Sequence, residues 1–143
     1  MASAALYTPQ ILELATSLAD YGWDQSMPLQ ATARSRSCGS SLQLGLSIDA
    51  QGGIERVALK SQACAIGQAA AAIFAHGAQG RSAADIQQAL AAMHAWLDSA
   101  GPQPDWPGLD AIAPARDYPG RHGAILLAWQ SADEALSSGK TPR

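Results

Sequence analysis

The chain has 143 residues, with 12 acidic and 9 basic side chains and a formal net charge of −3. This length predicts one compact domain, and the hydrophobic fraction of 48% excludes an intrinsically disordered chain. The small negative charge argues against a nucleic-acid-binding protein, because such proteins neutralise phosphates with an excess of basic residues. Two cysteines are too few for a disulfide framework or for a four-cysteine zinc site.

Signals for export or membrane insertion are absent from the sequence. The first residues lack the basic and apolar regions of a secretory signal, and no stretch approaches the roughly 20 apolar residues that span a bilayer. We therefore expect a cytoplasmic protein whose thiols stay reduced. Cys38 and Cys64 are then expected to be free thiols or metal ligands rather than a disulfide, with simple burial in the core as the alternative.

The first half of the chain predicts one helix followed by three strands. Thr8 supplies an N-cap hydroxyl, and Pro9 suits the first helical position because its missing N–H costs nothing there. Further along, apolar residues alternate with polar or small ones, as in half-buried strands, and short glycine-containing turns favour an antiparallel meander. The predicted elements are a helix from residue 9 to about 20 and strands over residues 31–36, 42–48 and 54–60, with turns over 37–41 and 49–53.

The second half of the chain predicts helices. An alanine-rich stretch without proline indicates a helix that packs closely, and Ser82 with Asp85 resembles a capping box at the start of the next helix. Trp106 is expected to anchor a loop rich in proline and glycine. The predicted elements are helices over residues 64–76 and 82–99, a loop over 101–108, a helical turn over 109–113, and a last helix over 125–136 with a frayed polar tail. The order predicts an α+β fold, a small three-stranded antiparallel sheet packed against about four to five helices.

The two cysteines fall at predicted element boundaries. Cys38 lies in the turn between the first two strands, and Cys64 lies where the third strand passes into a helix. A meander followed by a helix can bring these two places to one edge of the sheet. At a helix N-terminus the Cys64 thiol would lie near unpaired N–H groups, which favour the thiolate. Two thiolates at one edge form half of a metal or cluster site.

Four motifs, in this order, resemble the iron–sulfur cluster assembly scaffold family that comprises IscU, SufU and the N-terminal domain of NifU. Ser-Cys-Gly-Ser at 37–40 is similar to the family's Cys-Gly-Asp, and Ala-Cys-Ala-Ile-Gly at 63–67 is similar to its Gly-Cys motif before an alanine-rich helix. Gly-Arg-Ser at 80–82 matches a Gly-Lys/Arg-Ser motif. Tyr-Pro-Gly-Arg-His-Gly-Ala-Ile-Leu-Leu-Ala-Trp at 118–129 is similar to the C-terminal segment of SufU, and the longer stretch before it favours the SufU branch over IscU. The resemblance covers about residues 5–137 of a single domain spanning 1–143.

The resemblance also implies a set of ligands. In the family these are Cys38, an aspartate, Cys64 and a third cysteine. The aspartate position here is Ser40 and the third cysteine position is Ala124, so two of the four ligands are present. His122 lies two residues before Ala124, and because imidazole suits zinc and iron it is the candidate third ligand, with Ser40 as a weaker one. The alternative for His122 is a solvated residue that caps the last helix.

Three further residues are assigned less specific roles. Arg121 matches the family's arginine, and it is expected either to orient the site or to be a surface charge. His76 and His94 fall on predicted helices and are expected to be ordinary surface or helix-end residues.

The resemblance implies a scaffold of iron–sulfur cluster assembly rather than an enzyme. We expect the chain to bind iron, a [2Fe–2S] cluster or zinc through Cys38 and Cys64. The implied partners are a cysteine desulfurase and apo-protein acceptors, with no nucleic acid and no membrane. Two alternatives are kept: a metal-free paralogue that serves as a binding or regulatory module, and a persulfide carrier that accepts sulfur from the desulfurase.

Overall fold

The computed structural model describes residues 8–35 and 39–140. Within these ranges a helix precedes a three-stranded sheet, and further helices follow it, so the predicted α+β fold is confirmed. The elements are α1 (Pro9–Ser17), a 3-10 turn (Leu18–Tyr21), β1 (Leu29–Arg34), β2 (Ser41–Ile48), β3 (Ile54–Gln62), α2 (Ala65–Ala78), α3 (Ala83–Leu97), a 3-10 helix (Leu109–Asp117) and α4 (Pro119–Lys140).

Both helix starts that the sequence marks are present. Thr8 is the N-cap of α1, and its Oγ1 accepts the N–H of Ile11 at 3.1 Å, with Pro9 in the first turn. Ser82 and Asp85 form the predicted capping box of α3. The Asp85 N–H donates to Ser82 Oγ at 3.1 Å, and the Ser82 N–H donates to the Asp85 carboxylate at 3.0 Å. The bond from the Ser82 backbone holds the pKa of Asp85 below its ordinary value.

Strand pairing extends the sheet beyond the predicted boundaries. β1 begins at Leu29, because this residue pairs with Leu46, and β3 continues to Gln62, which pairs with Ser41. β1 ends at Arg34, and the predicted strand end at residue 36 lies outside the described residues.

The start of the last helix was predicted too late. Pro119 and Gly120, which the sequence marked as a break, form the first turn of α4, because proline fits the first helical position. The helix also continues to Lys140, past the predicted point of fraying. Similarly, the predicted turn over 109–113 is a 3-10 helix that runs to Asp117.

The core lies between one face of the sheet and the helices α2 and α4. Leu42, Leu44 and Leu46 of β2 project to this face and are almost fully buried, which stabilises each by about 1.5–3 kcal/mol. α4 crosses β1 and β2 and also packs against α2 and α3. The buried alanines of α2, from Ala69 to Ala72, let these elements approach closely.

Trp106 anchors the loop before the 3-10 helix, as predicted. Its Nε1–H donates to the carbonyl oxygen of Ile73 at 2.9 Å, and its ring stacks on Phe74 with centroids 5.4 Å apart. The guanidinium of Arg81 lies 3.8 Å from the centroid of the Trp106 ring. In the described part of the chain, no helix combines the length and the apolar character that crossing a membrane requires.

Candidate metal and cluster site

One end of the sheet, here called the site edge, is where β1 ends, β2 begins and β3 ends. Ser41 pairs with Arg34 of β1 and with Gln62 of β3. The chain between β1 and β2 and the junction between β3 and α2 therefore lie at the same end of the sheet. Cys64 belongs to this junction. Cys38 belongs to the segment between β1 and β2 but lies outside the described residues, so its part in the site stays a prediction.

Ser40 occupies the base of the turn between β1 and β2. It is buried, and its carbonyl oxygen accepts the N–H of Ser35 at 2.8 Å. Gly39 has a φ of 71°, a backbone conformation that glycine adopts without strain, and its N–H donates to the Ser35 carbonyl oxygen at 3.2 Å. The backbone on both sides of the undescribed residues is thus fixed close to the sheet. The weak ligand role of Ser40 stays a prediction.

Cys64 is the N-cap residue of α2, as the sequence predicted for the strand-to-helix junction. Its carbonyl oxygen accepts the N–H of Gln68 at 2.9 Å, but its side chain makes no capping hydrogen bond. The side chain is a free, half-buried thiol. Anions are stabilised at this end of a helix, because the N–H groups of the first turn have no helical acceptors. The thiol is thus available as a ligand or a nucleophile.

Ala124, the position of the family's third cysteine, lies against the first turns of α2. A Cβ added to Gly67 would lie 3.2 Å from the Ala124 Cβ and 2.8 Å from the Ala63 Cβ. Ala124 is only 2% exposed. Because Gly67 is one turn from Cys64, this face of α4 lies at the Cys64 end of α2. Ala124 thus lies near Cys64 in the fold, and its correspondence to a ligand position stays a prediction.

His122 lies on a different side of α4. Consecutive helical residues are rotated by about 100°, so the side chains of His122 and Ala124 leave the axis about 200° apart. The Nε2 of His122 lies 2.7 Å from the carbonyl oxygen of Arg116. Because a carbonyl only accepts, Nε2 carries the proton, and in the neutral ring Nδ1 keeps the lone pair. The ring nitrogen Nδ1 of His122 is therefore the one that could bind a metal, and the ligand role of His122 stays a prediction.

The remaining candidate side chains lie on three different helices. His76 is near the far end of α2, where its ring lies 5.6 Å from that of Tyr21. His94 is exposed in the last turn of α3, as expected. Arg121 is half-buried in the first turn of α4, and its orienting role stays a prediction. Across residues 8–35 and 39–140, no group of three or more histidine, cysteine, aspartate or glutamate residues is placed to hold a metal ion.

Gly67 is a residue of this site that the sequence reasoning missed. Its signal is a glycine inside a run of alanines, one turn after the cysteine. Glycine is unfavourable within a helix, so its presence there indicates a close contact that excludes a side chain.

Replacing Gly67 with alanine is expected to destabilise the protein by about 1–3 kcal/mol, because the added methyl group has no room. Gly120→Ala is the matched control in the first turn of α4, where no atom lies within 4 Å of the added Cβ. That change is expected to be neutral or to stabilise by up to about 1 kcal/mol. Urea unfolding followed by circular dichroism measures both. Equal stability of the two variants would contradict the close contacts of Gly67 with Ala63 and Ala124.

Comparison with known proteins supports the fold assignment. No family model and no curated protein matches the chain. A nitrogen-fixing NifU-like protein (N-terminal) from Brucella abortus matches it with a TM-score of 0.86 and 28% identity, covering 99% of this chain and 100% of that chain. A protein from the thermophile Fervidobacterium islandicum, assigned as an iron–sulfur cluster assembly scaffold for the SUF system, matches with a TM-score of 0.80 and 19% identity over 92% and 96% of the two chains. A hypothetical protein matches with a TM-score of 0.60 and 20% identity over 87% and 98%. The predicted likeness to NifU-like and SufU proteins is thereby confirmed.

Proposed function

We propose that this chain, which has the fold of the NifU-like N-terminal domain and SufU structures, is a scaffold-like protein of iron–sulfur cluster assembly. Its cargo is iron, a [2Fe–2S] cluster or zinc, bound at the site edge by Cys64 and Cys38. The observation that carries the proposal is the placement of Cys64, a half-buried N-cap residue whose thiol makes no capping bond. The full-length likeness to a NifU-like protein at 28% identity supports it.

The ligand set determines how firmly the cargo is held. Thiolates are suitable ligands for zinc and for iron–sulfur clusters, and their binding to a metal releases protons. The remaining two positions of the family's ligand set are a serine hydroxyl at Ser40 and a methyl group at Ala124. A metal ion on two cysteines therefore keeps coordination positions for water or for a partner's ligand. Such a site suits cargo that is transferred rather than cargo that is stored.

The proposal extends to partners and location. A cysteine desulfurase would supply sulfur, and apo-proteins would accept the assembled cluster. The protein would act in the cytoplasm and would not itself be an enzyme. The likeness to a protein assigned to cluster assembly in the SUF system supports the choice of partners.

Anaerobic reconstitution with ferrous iron and sulfide tests the proposal. The wild type is expected to gain visible absorbance and to retain iron through gel filtration. Cys38→Ser and Cys64→Ser are each expected to lower the retained iron on the order of tenfold or more, because each removes one of two strong ligands. Equal iron in the wild type and in the double variant would contradict binding by the cysteines.

Two histidine variants test the role of His122 in the same experiment. His122→Ala is expected to lower metal affinity about 10–100-fold if Nδ1 is a ligand. His94→Ala changes an exposed histidine of α3 and serves as the matched control, with no expected effect. Equal affinities in the two variants would remove His122 from the site.

A second candidate function is a metal-free binding module. It is favoured by the buried methyl group of Ala124 at a position where the family has a thiolate. In this case the wild type would retain neither iron nor zinc, and its binding to a desulfurase would not change in the Cys38→Ala, Cys64→Ala double variant. Metal retained by the wild type and lost from this variant would exclude the second candidate.

A further inference from the structure

The sheet carries an uneven distribution of charge. Residues 25–48 and 56–84 contain no aspartate or glutamate, although the whole chain has 12 acidic side chains. These ranges include β1, β2 and all of β3 after its first two residues. Arg34 and Lys60 lie within them. A chain with a net charge of −3 thus has one part of its sheet where every charged group is positive.

The strand register brings these groups onto one surface. Side chains alternate between the two faces of a strand, and directly paired residues share a face. Two paired rows next to the site edge therefore lie on the face opposite the buried leucines. We call this surface the basic face; it comprises Thr32, Gln43 and Lys60 in one row and Arg34, Ser41 and Gln62 in the other. These residues line a shallow cavity of about 200 Å³.

Within residues 8–35 and 39–140, no acidic side chain neutralises this positive charge. Arg34 and Lys60 are both exposed, and neither has an ion-pair partner among the residues that the structure describes. The opposite end of the same face differs. There the guanidinium of Arg56 lies 3.3 Å from the carboxylate of Asp24. The pKa of Asp24 is lowered mainly by hydrogen bonds from Ser26, and Arg56 lowers it further.

Another segment of the chain covers part of the outer face of the sheet, the face opposite the buried leucines, but it does not reach the basic face. A Cβ added to Gly45 would lie 2.8 Å from the Cβ of Met27, and Trp23 lies close to the same glycine. The segment over residues 22–28 therefore packs on the middle of the face and leaves the two rows near the site edge open.

We propose that the basic face is a docking surface for an acidic segment of a partner protein. Aspartate or glutamate carboxylates of that segment would bind Arg34 and Lys60, and the amide and hydroxyl groups of Gln43 and Thr32 would hydrogen-bond its polar groups. Two cations on a chain of net negative charge suit a short acidic peptide rather than a nucleic acid, whose many phosphates the rest of the chain repels. The basic face adjoins the site edge, so the partner would be held beside Cys64. The inference rests on the charges of the sheet and does not require that a metal binds.

A surface of this composition makes short-lived contacts. It has no large apolar side chain to act as an anchor, so charge complementarity would mainly raise the association rate, and added salt would weaken binding. This suits a protein that meets several partners in turn.

An acidic peptide probe tests the proposal on the full chain. Hexaglutamate, titrated into the ¹⁵N-labelled protein at low salt, is expected to shift the backbone amide signals of Thr32, Gln43 and Lys60. The Arg34→Glu, Lys60→Glu double variant is expected to bind the peptide on the order of tenfold more weakly. Arg56→Glu is the matched control for Lys60→Glu, because it makes the same charge change on the same face of β3 and is expected to alter the affinity by less than about twofold.

Several outcomes would overturn the proposal. Equal losses in Lys60→Glu and Arg56→Glu would show an effect of net charge alone, and shifts confined to other elements would place the peptide elsewhere. Tighter binding of hexathymidylate than of hexaglutamate at the same amides would assign the surface to nucleic acid. If the double variant loses its native spectrum, Lys60→Gln provides the same comparison with a smaller expected loss of about threefold.

Discussion

Ala124→Cys is expected to raise the affinity of the protein for zinc on the order of 100-fold. Zinc binding by a complete four-ligand structural site is worth about 10–16 kcal/mol, so one thiolate contributes roughly 3 kcal/mol. The structure favours this position because the Ala124 side chain packs against the first turns of α2, near Cys64. The increase requires that Cys64 and Cys38 already bind the metal.

Competition with a chromogenic zinc chelator measures this change. Ala128→Cys is the matched control, because Ala128 is equally buried and lies one turn further along α4, a displacement of about 6 Å. The control adds a thiol of the same kind outside the reach of the site, so its zinc affinity is expected to stay at the wild-type value. An equal rise in both variants would show non-specific binding by any thiol of α4. No rise in Ala124→Cys would contradict the assignment of this position to the site.

The strand-to-helix junction at Cys64 could be predicted from the sequence alone. The spacing of apolar residues changes there from alternation to a helical pattern, and both patterns are strong. The two capping signals, at Thr8 and at Ser82, were equally reliable because each rests on local hydrogen bonds within four residues. Local chemistry therefore determined the fold class and the position of the one described cysteine.

The side of α4 that contacts α2 could not be predicted in the same way. Choosing between Ala124 and His122 requires the start of the helix and the direction of its packing, and the sequence reading placed that start several residues too late. Pro119 looked like a break, although proline is well suited to a first turn. The basic face was also invisible in the sequence, because it depends on which residues of three strands are paired.

Trp106→Ala is expected to destabilise the protein by about 3–5 kcal/mol, the cost typical of removing a large buried aromatic side chain. The ring is 4% exposed, and it meets Phe74 at 5.4 Å and Trp129 at 5.4 Å between centroids. The change also removes the hydrogen bond to Ile73. Typical domains have a free energy of unfolding of about 5–15 kcal/mol, so the loss is a large part of the total.

Trp23→Ala is the control for removal of an indole group. Trp23 is half-buried and covers the outer face of the sheet, so its loss is expected to cost about 1–2 kcal/mol. Urea unfolding measures both variants, and equal losses would contradict the anchoring role of Trp106.

The loss of Trp106 is also expected to affect the candidate metal site, because of where its loop lies in the chain. The loop that Trp106 anchors leads into the 3-10 helix whose Arg116 carbonyl binds His122. Loosening that loop would release the start of α4, so Trp106→Ala is also expected to lower metal retention, whereas Trp23→Ala is not.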